Sequence, residues 1–166
     1  MLNFLENHDE QRIASAYFAG DARKALPALV VSATMGNNPF MVYAGQEIGE
    51  HGMNAEGFSG SDGRTTIFDY WSVASLRKLT ANHPEQEMNE AERDLYNYYK
   101  KVITLCNAHP ALSDGQFYDL QYANYSRDAG YDCDRQYAYI RRAKNGEALL
   151  IVANFSPSSV HCGIKI

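Results

Sequence analysis

Two short apolar runs, Met1-Leu2-Asn3-Phe4-Leu5 and Phe40-Met41-Val42-Tyr43-Ala44, flank a segment whose apolar residues recur at helical spacing. Leu26, Leu29, Val30 and Ala33 fall on one face, which predicts a helix over residues 25–35. Pro27 suits its first turn, Gly36-Asn37-Asn38 ends it, and Pro39 leads into the second run. Both runs are apolar nearly throughout, as parallel strands covered on both faces are. Residues 50–70 are rich in Gly, Ser and Asp and form a connection too long to be casual. A short helix is expected over 71–79. A longer one is expected over 90–109, capped by Asn89 with Glu92 reaching back. Leu95, Tyr99, Val102, Ile103 and Cys106 would form its buried face, and His109-Pro110 would stop it.

From Asp114 the period changes to two. Tyr118, Leu120 and Tyr122 alternate with polar neighbours, and strands are expected over 137–143 and 148–155, joined through Asn145-Gly146. Val160, Cys162, Ile164 and Ile166 alternate as a further strand, and the chain stops inside that pattern. The reading is an α/β portion over 1–112 followed by an antiparallel β-domain over 113–166, with the latter expected to be cut short.

The first run opens onto Asn7-His8-Asp9 and the second onto Gly45-Gln46-Glu47. In α/β barrels the chemistry sits where strand C-terminal ends meet their loops. Two strand ends that each deliver a carboxylate could face one sugar-sized cleft.

Phe4-Leu5-Glu6-Asn7-His8-Asp9 resembles the strand-seven motif of the α-amylase family of glycoside hydrolases (glycoside hydrolase family 13). Pro39-Phe40-Met41-Val42-Tyr43-Ala44-Gly45-Gln46-Glu47-Ile48-Gly49 resembles that family's strand eight. The two motifs in this order, with a helix between them, reinforce each other. The resemblance implies the last two β/α units of a TIM barrel followed by a β-sandwich-like C-terminal domain. It implies a retaining enzyme acting on an α-glucan or maltooligosaccharide. Asp9 would stabilise the transition state, His8 would hydrogen-bond sugar hydroxyls, and Asn7 would hold the turn or orient Asp9. Glu47 is either a rim carboxylate contacting substrate or Arg64, or a structural ion pair below the cleft. Asp62-Gly63-Arg64 resembles the loop after strand eight, where the Arg could approach the sugar; a plain turn is the alternative. Tyr70 and Trp71 could stack on a sugar ring or pack in the core.

The family's strand-four nucleophilic Asp and strand-five acid/base Glu have no counterpart here. A complete barrel takes roughly 250 residues, against 166 in this chain. The chain therefore reads as a C-terminal piece of a longer enzyme, inactive alone and prone to self-associate through exposed barrel edges. Transglycosylation by the same carboxylates, a non-catalytic carbohydrate-binding β-domain and a degenerate scaffold remain alternatives.

A net charge of -5 provides no basic patch, which argues against a nucleic-acid partner and suits a neutral sugar. No run is apolar enough to span a bilayer, so no membrane partner is expected. Cys106, Cys133 and Cys162 match no zinc spacing and read as free thiols. Asp132-Cys133-Asp134 lacks the six or so oxygens that calcium needs and reads as a solvated loop. No metal or cofactor is expected here; the resemblance leaves room for calcium in a longer parent.

Overall fold

A computed structural model of the chain describes residues 1–52, 62–65 and 73–166. The expected stacking residues Tyr70 and Trp71 lie outside them. The described chain forms two compact units that interleave in sequence. One holds residues 2–26 and 40–101; the other holds 27–39 and 102–166, with Met1.

In the first unit β1 (Asn3–Phe4) pairs in parallel with β2 (Phe40–Met41), Asn3 opposite Phe40 and Phe4 opposite Met41. The ladder is shorter than the two apolar runs, and Leu2 and Phe4 stay 47% and 44% exposed. Between the strands in sequence comes α1 (Leu26–Thr34), which from Pro27 onward belongs to the second unit and is entered through a 3-10 turn at Ala22–Ala25 that Asp21 caps. After the long connection come α2 (Ala74–Leu79), α3 (Pro84–Glu87) and α4 (Glu90–Ala108).

The capping box at the start of α4 forms as expected. The Glu92 N–H donates to Asn89 Oδ1 and the Asn89 N–H to Glu92 Oε2, both at 2.9 Å. Lys78 Nζ donates to both Glu92 oxygens at 2.7 and 2.9 Å and holds that carboxyl below its ordinary pKa against the effect of its burial. Leu95, Tyr99 and Val102 are buried. Ile103 is not: it is 39% exposed, because it sits about 100° around the helix from Val102 and leaves the stripe.

The second unit contains α5 (Pro110–Ser113) and the antiparallel sheet β3-β4-β5, formed by Gln116–Asp119, Gln136–Arg142 and Ala148–Asn154. Asn145-Gly146 does turn the β4–β5 hairpin. Gly146 takes the left-handed conformation (φ 91°) and donates to the Ala143 carbonyl at 3.1 Å, while the Ala143 N–H donates to the Glu147 carbonyl at 2.9 Å. On one sheet face Thr34 Oγ1 and the Tyr139 hydroxyl meet at 2.5 Å, and Tyr139 is fully buried.

Two strand expectations are corrected. Tyr122 belongs to a 3-10 turn and is 93% exposed; β3 ends earlier, where Asp119 Oδ1 accepts the Gln121 N–H at 2.8 Å. The segment carrying Val160, Cys162, Ile164 and Ile166 forms no strand. Its backbone is taken by Asn124, whose amide accepts from Lys165 N–H at 2.8 Å and donates to Lys165 C=O at 3.0 Å. Cys162 and Ile164 still pack on Leu120, Tyr131 and Ala138, while Val160 and Ile166 face solvent.

Candidate active site

Beyond β1 the chain turns out into a short loop closed at its base by Glu6. This carboxylate is buried, with Oε2 2.8 Å from Arg12 Nη1 and Oε1 accepting the Ile13 N–H at 2.7 Å. Burial pushes its pKa up, against the pull of Arg12 and the Ile13 N–H. Within the loop, Asn7 Oδ1 accepts from the Asp9 N–H at 2.8 Å and the Glu10 N–H at 3.1 Å. Asn7 therefore holds the turn. His8 and Asp9 point outward, with His8 Nε2 3.4 Å from Asp9 Oδ1 and the Asp9 side chain 75% exposed.

Arg12 is the residue that sequence reasoning missed. It is fully buried. Its Nε donates to Thr65 Oγ1 at 2.8 Å, Nη1 to Glu6, and Nη2 to the Ala44 carbonyl at 2.6 Å. Its backbone N–H donates to the Gly63 carbonyl at 2.8 Å, and its guanidinium lies 4.2 Å over the Tyr43 ring. Tyr43 in turn donates its hydroxyl to the Thr65 carbonyl at 3.2 Å and lies within electrostatic reach of Asp9. Three segments thus meet on one side chain: the loop after β1, the chain after β2, and residues 62–65. The available signal was the placement of Glu6 and Arg12, opposite charges three residues either side of Asp9.

Arg64 and Glu47 form no ion pair with each other. Arg64 Nη1 pairs with Asp62 Oδ2 at 3.0 Å, and Asp62 Oδ1 accepts the Arg64 N–H at 3.1 Å. Arg64 stands beside Gly63 and Thr65, so it shares the Arg12-anchored region with Asn7, His8 and Asp9. Glu47 lies in the 3-10 turn Gln46–Ile48 and makes no ion pair among the described residues; its Oε2 is buried without a hydrogen-bond partner. Neither expected ion pair of Glu47 is present among the described residues. The turn itself is fixed by Gly45 and Gly49, both left-handed, and by Gln46 Nε2 donating to the Tyr99 hydroxyl at 2.9 Å. It is these backbone constraints that set Glu47's position.

Burial raises the Glu47 pKa above its ordinary 4.5, only partly offset by nearby backbone N–H groups and the Arg12 charge. The sign of the consequence follows from linkage. As pH rises through 4.5 the unfolded chain releases this proton first, so the folded state loses stability until its own higher pKa is passed. Glu47→Gln removes that penalty. The variant should melt above the wild type at about pH 7, and the gap should close as pH falls below 4.5. A pH-independent difference in melting temperature would show that the carboxyl is not held at a raised pKa.

No protein-family model matches the chain. Two curated relatives do. Alpha-amylase 3 of Dictyoglomus thermophilum is 29% identical over 119 residues, 68% of this chain and 23% of that protein. Cyclomaltodextrinase of a Bacillus species is 28% identical over 154 residues, 93% of this chain and 22% of that protein. The chain thus spans about a quarter of the length of these relatives. Among solved structures, AmyP in complex with maltose matches with a TM-score of 0.63 at 25% identity, over 93% of this chain and 30% of that one. The acarbose-soaked debranching enzyme of Nostoc punctiforme shares the fold, with a TM-score of 0.57 at 19% identity over 95% of this chain and 25% of its own. Taken with the two strand-end motifs, these likenesses make the chain similar to enzymes of the α-amylase family of glycoside hydrolases.

Proposed function

We propose that this chain supplies part of the active site of a retaining glycoside hydrolase acting on α-glucans or maltooligosaccharides. The observation that carries the reading is the closed loop after β1, which presents His8 and Asp9 to solvent from a buried Glu6–Arg12 base. The curated relatives named alpha-amylase and cyclomaltodextrinase support it. In this reading 1–112 is the last part of the catalytic barrel and 113–166 the start of a β-domain.

A retaining glycosidase sets a nucleophilic carboxylate and an acid/base carboxyl about 5 Å apart across the scissile bond. Both are supplied by the remainder of the enzyme. Asp9 adds a third negative charge, fixed near the ring where oxocarbenium character develops. His8 hydrogen-bonds the hydroxyls of the same sugar. Asn7 keeps the turn that aims both, and Arg64 borders the cleft from residues 62–65.

The full-length protein given a maltooligosaccharide should release product whose first-formed anomer is α, read by proton NMR before mutarotation. Residues 1–166 alone should release none. A β-anomer formed first would overturn the retaining mechanism, and absence of any cleavage or glucosyl transfer by the full-length protein would overturn the functional reading. The ratio of free sugar to longer products separates hydrolysis from transglycosylation.

A further inference from the structure

We propose that Arg12 is a positioning residue for the reaction, fixing the loop of His8 and Asp9 against the two other segments that border the cleft. The proposal rests on the functional reading above. Its observation is the use made of the guanidinium. Each nitrogen donates to a different partner: Glu6 on the loop's near side, Ala44 after β2, and Thr65 beyond the long connection. The ring of Tyr43 covers one face of the same plane.

A buried arginine held only to neutralise one carboxylate would need just the Glu6 contact. Here two of the three side-chain bonds go to neutral oxygens on other segments, and the backbone adds a fourth link to Gly63. A planar fork with donors in fixed directions is the chemistry that joins three strands of chain at set angles; an ammonium cannot do so. Glu6 and Arg12 sit three residues before and after Asp9. Their ion pair shuts the loop, so any slack in Arg12 passes directly to Asp9. Arg12 is fully buried. It acts through Asp9, His8 and the segment carrying Arg64.

The consequence is a split between binding and turnover. Misplacing a transition-state group by an ångström or so costs about 10²-fold in rate, while ground-state contacts elsewhere on a long glucan are kept. The test uses the full-length enzyme. Arg12→Lys keeps the charge beside Glu6 but loses the fork. Thr65→Val removes one arm and keeps its shape, so it reads the clamp even if the lysine variant folds poorly. Expected are a kcat about 10²-fold lower for Arg12→Lys and a smaller loss for Thr65→Val. KM should change little in either, at a temperature well below both melting transitions. Wild-type kcat in folded Arg12→Lys, or a loss confined to KM, would overturn the positioning role. So would a rate in Thr65→Val equal to wild type. Wild-type enzyme and Asp9→Asn run alongside. If wild type does not cleave α-glucosides, or Asp9→Asn cleaves as wild type does, the functional reading itself fails and the role of Arg12 with it.

Discussion

Asp9→Asn in the full-length protein should lower kcat by about 10²–10³-fold, the cost of losing one preorganised electrostatic group in a transition state, with almost no change in the melting temperature. The stability half follows from exposure. The Asp9 side chain is 75% exposed and its near ionic neighbour is His8 at 3.4 Å. Exposed pairs of this kind contribute little to folding. The turn is held by the backbone N–H of Asp9 on Asn7 Oδ1, which the substitution leaves in place. The catalytic half follows from charge. A carboxylate this exposed is free to meet positive charge developing on the sugar ring. An amide of the same shape still reaches a hydroxyl, so ground-state binding should persist and the loss should fall on kcat. Measuring kcat and KM on a maltooligosaccharide beside a thermal melt decides the matter. Unchanged turnover removes Asp9 from the mechanism, and a collapsed melt makes it a structural residue.

The placement of Asn7, His8 and Asp9 was legible because polar residues follow an apolar run abruptly, and such a break marks a strand end. α4 was legible for two independent reasons, its 3.6-residue stripe and the Asn89–Glu92 box. Arg12 was not legible. It follows Asp9-Glu10-Gln11, and a charge in a polar run normally lies on the surface. Its burial depends on Ala44 and Thr65, partners 32 and 53 residues away, which no local pattern announces. Glu47 shows a related limit. Its side chain is aimed by the backbone of a glycine-bounded turn, which the local charge pattern does not report.

The C-terminal segment shows a different limit. Alternation set Val160, Cys162, Ile164 and Ile166 on one face, and two of the four turn inward: Cys162 and Ile164 meet the small core around Tyr131, while Val160 and Ile166 are exposed. It misjudged the backbone. A strand needs a ladder partner, and Asn124 offers its side-chain amide to Lys165 instead. Period two reports side-chain direction and is silent on what the backbone pairs with.

Arg141→Met should be the most destabilising single change in the sheet unit, by about 3 kcal/mol, reckoned from the 1–3 kcal/mol cost of each buried acceptor left unpaired. Arg141 is 1% exposed and has no carboxylate partner among the described residues. Its charge is met by oxygens. Nη1 donates to the Met35 carbonyl at 2.6 Å, Nε to Ala111 at 3.1 Å and Nη2 to Leu112 at 3.2 Å, with the Asn37 side chain completing the set. Met35 follows the last residue of α1, so the guanidinium also answers the partial negative charge of a helix C-terminus. Methionine fills much of the stem volume but leaves these oxygens without donors. Some would be rehydrated, because a depression of about 610 Å³ bordered by Asn37, Gln116 and Arg141 opens beside them; that relief keeps the loss below the full sum. In a unit of this size a 3 kcal/mol loss lowers the melting temperature by roughly 12–24 °C. Arg142 is the internal control. The strand's alternation turns it outward, so Arg142→Met should cost under about 0.5 kcal/mol. Equal shifts for the two variants, by calorimetry on the same protein, would show that Arg141 contributes only its stem.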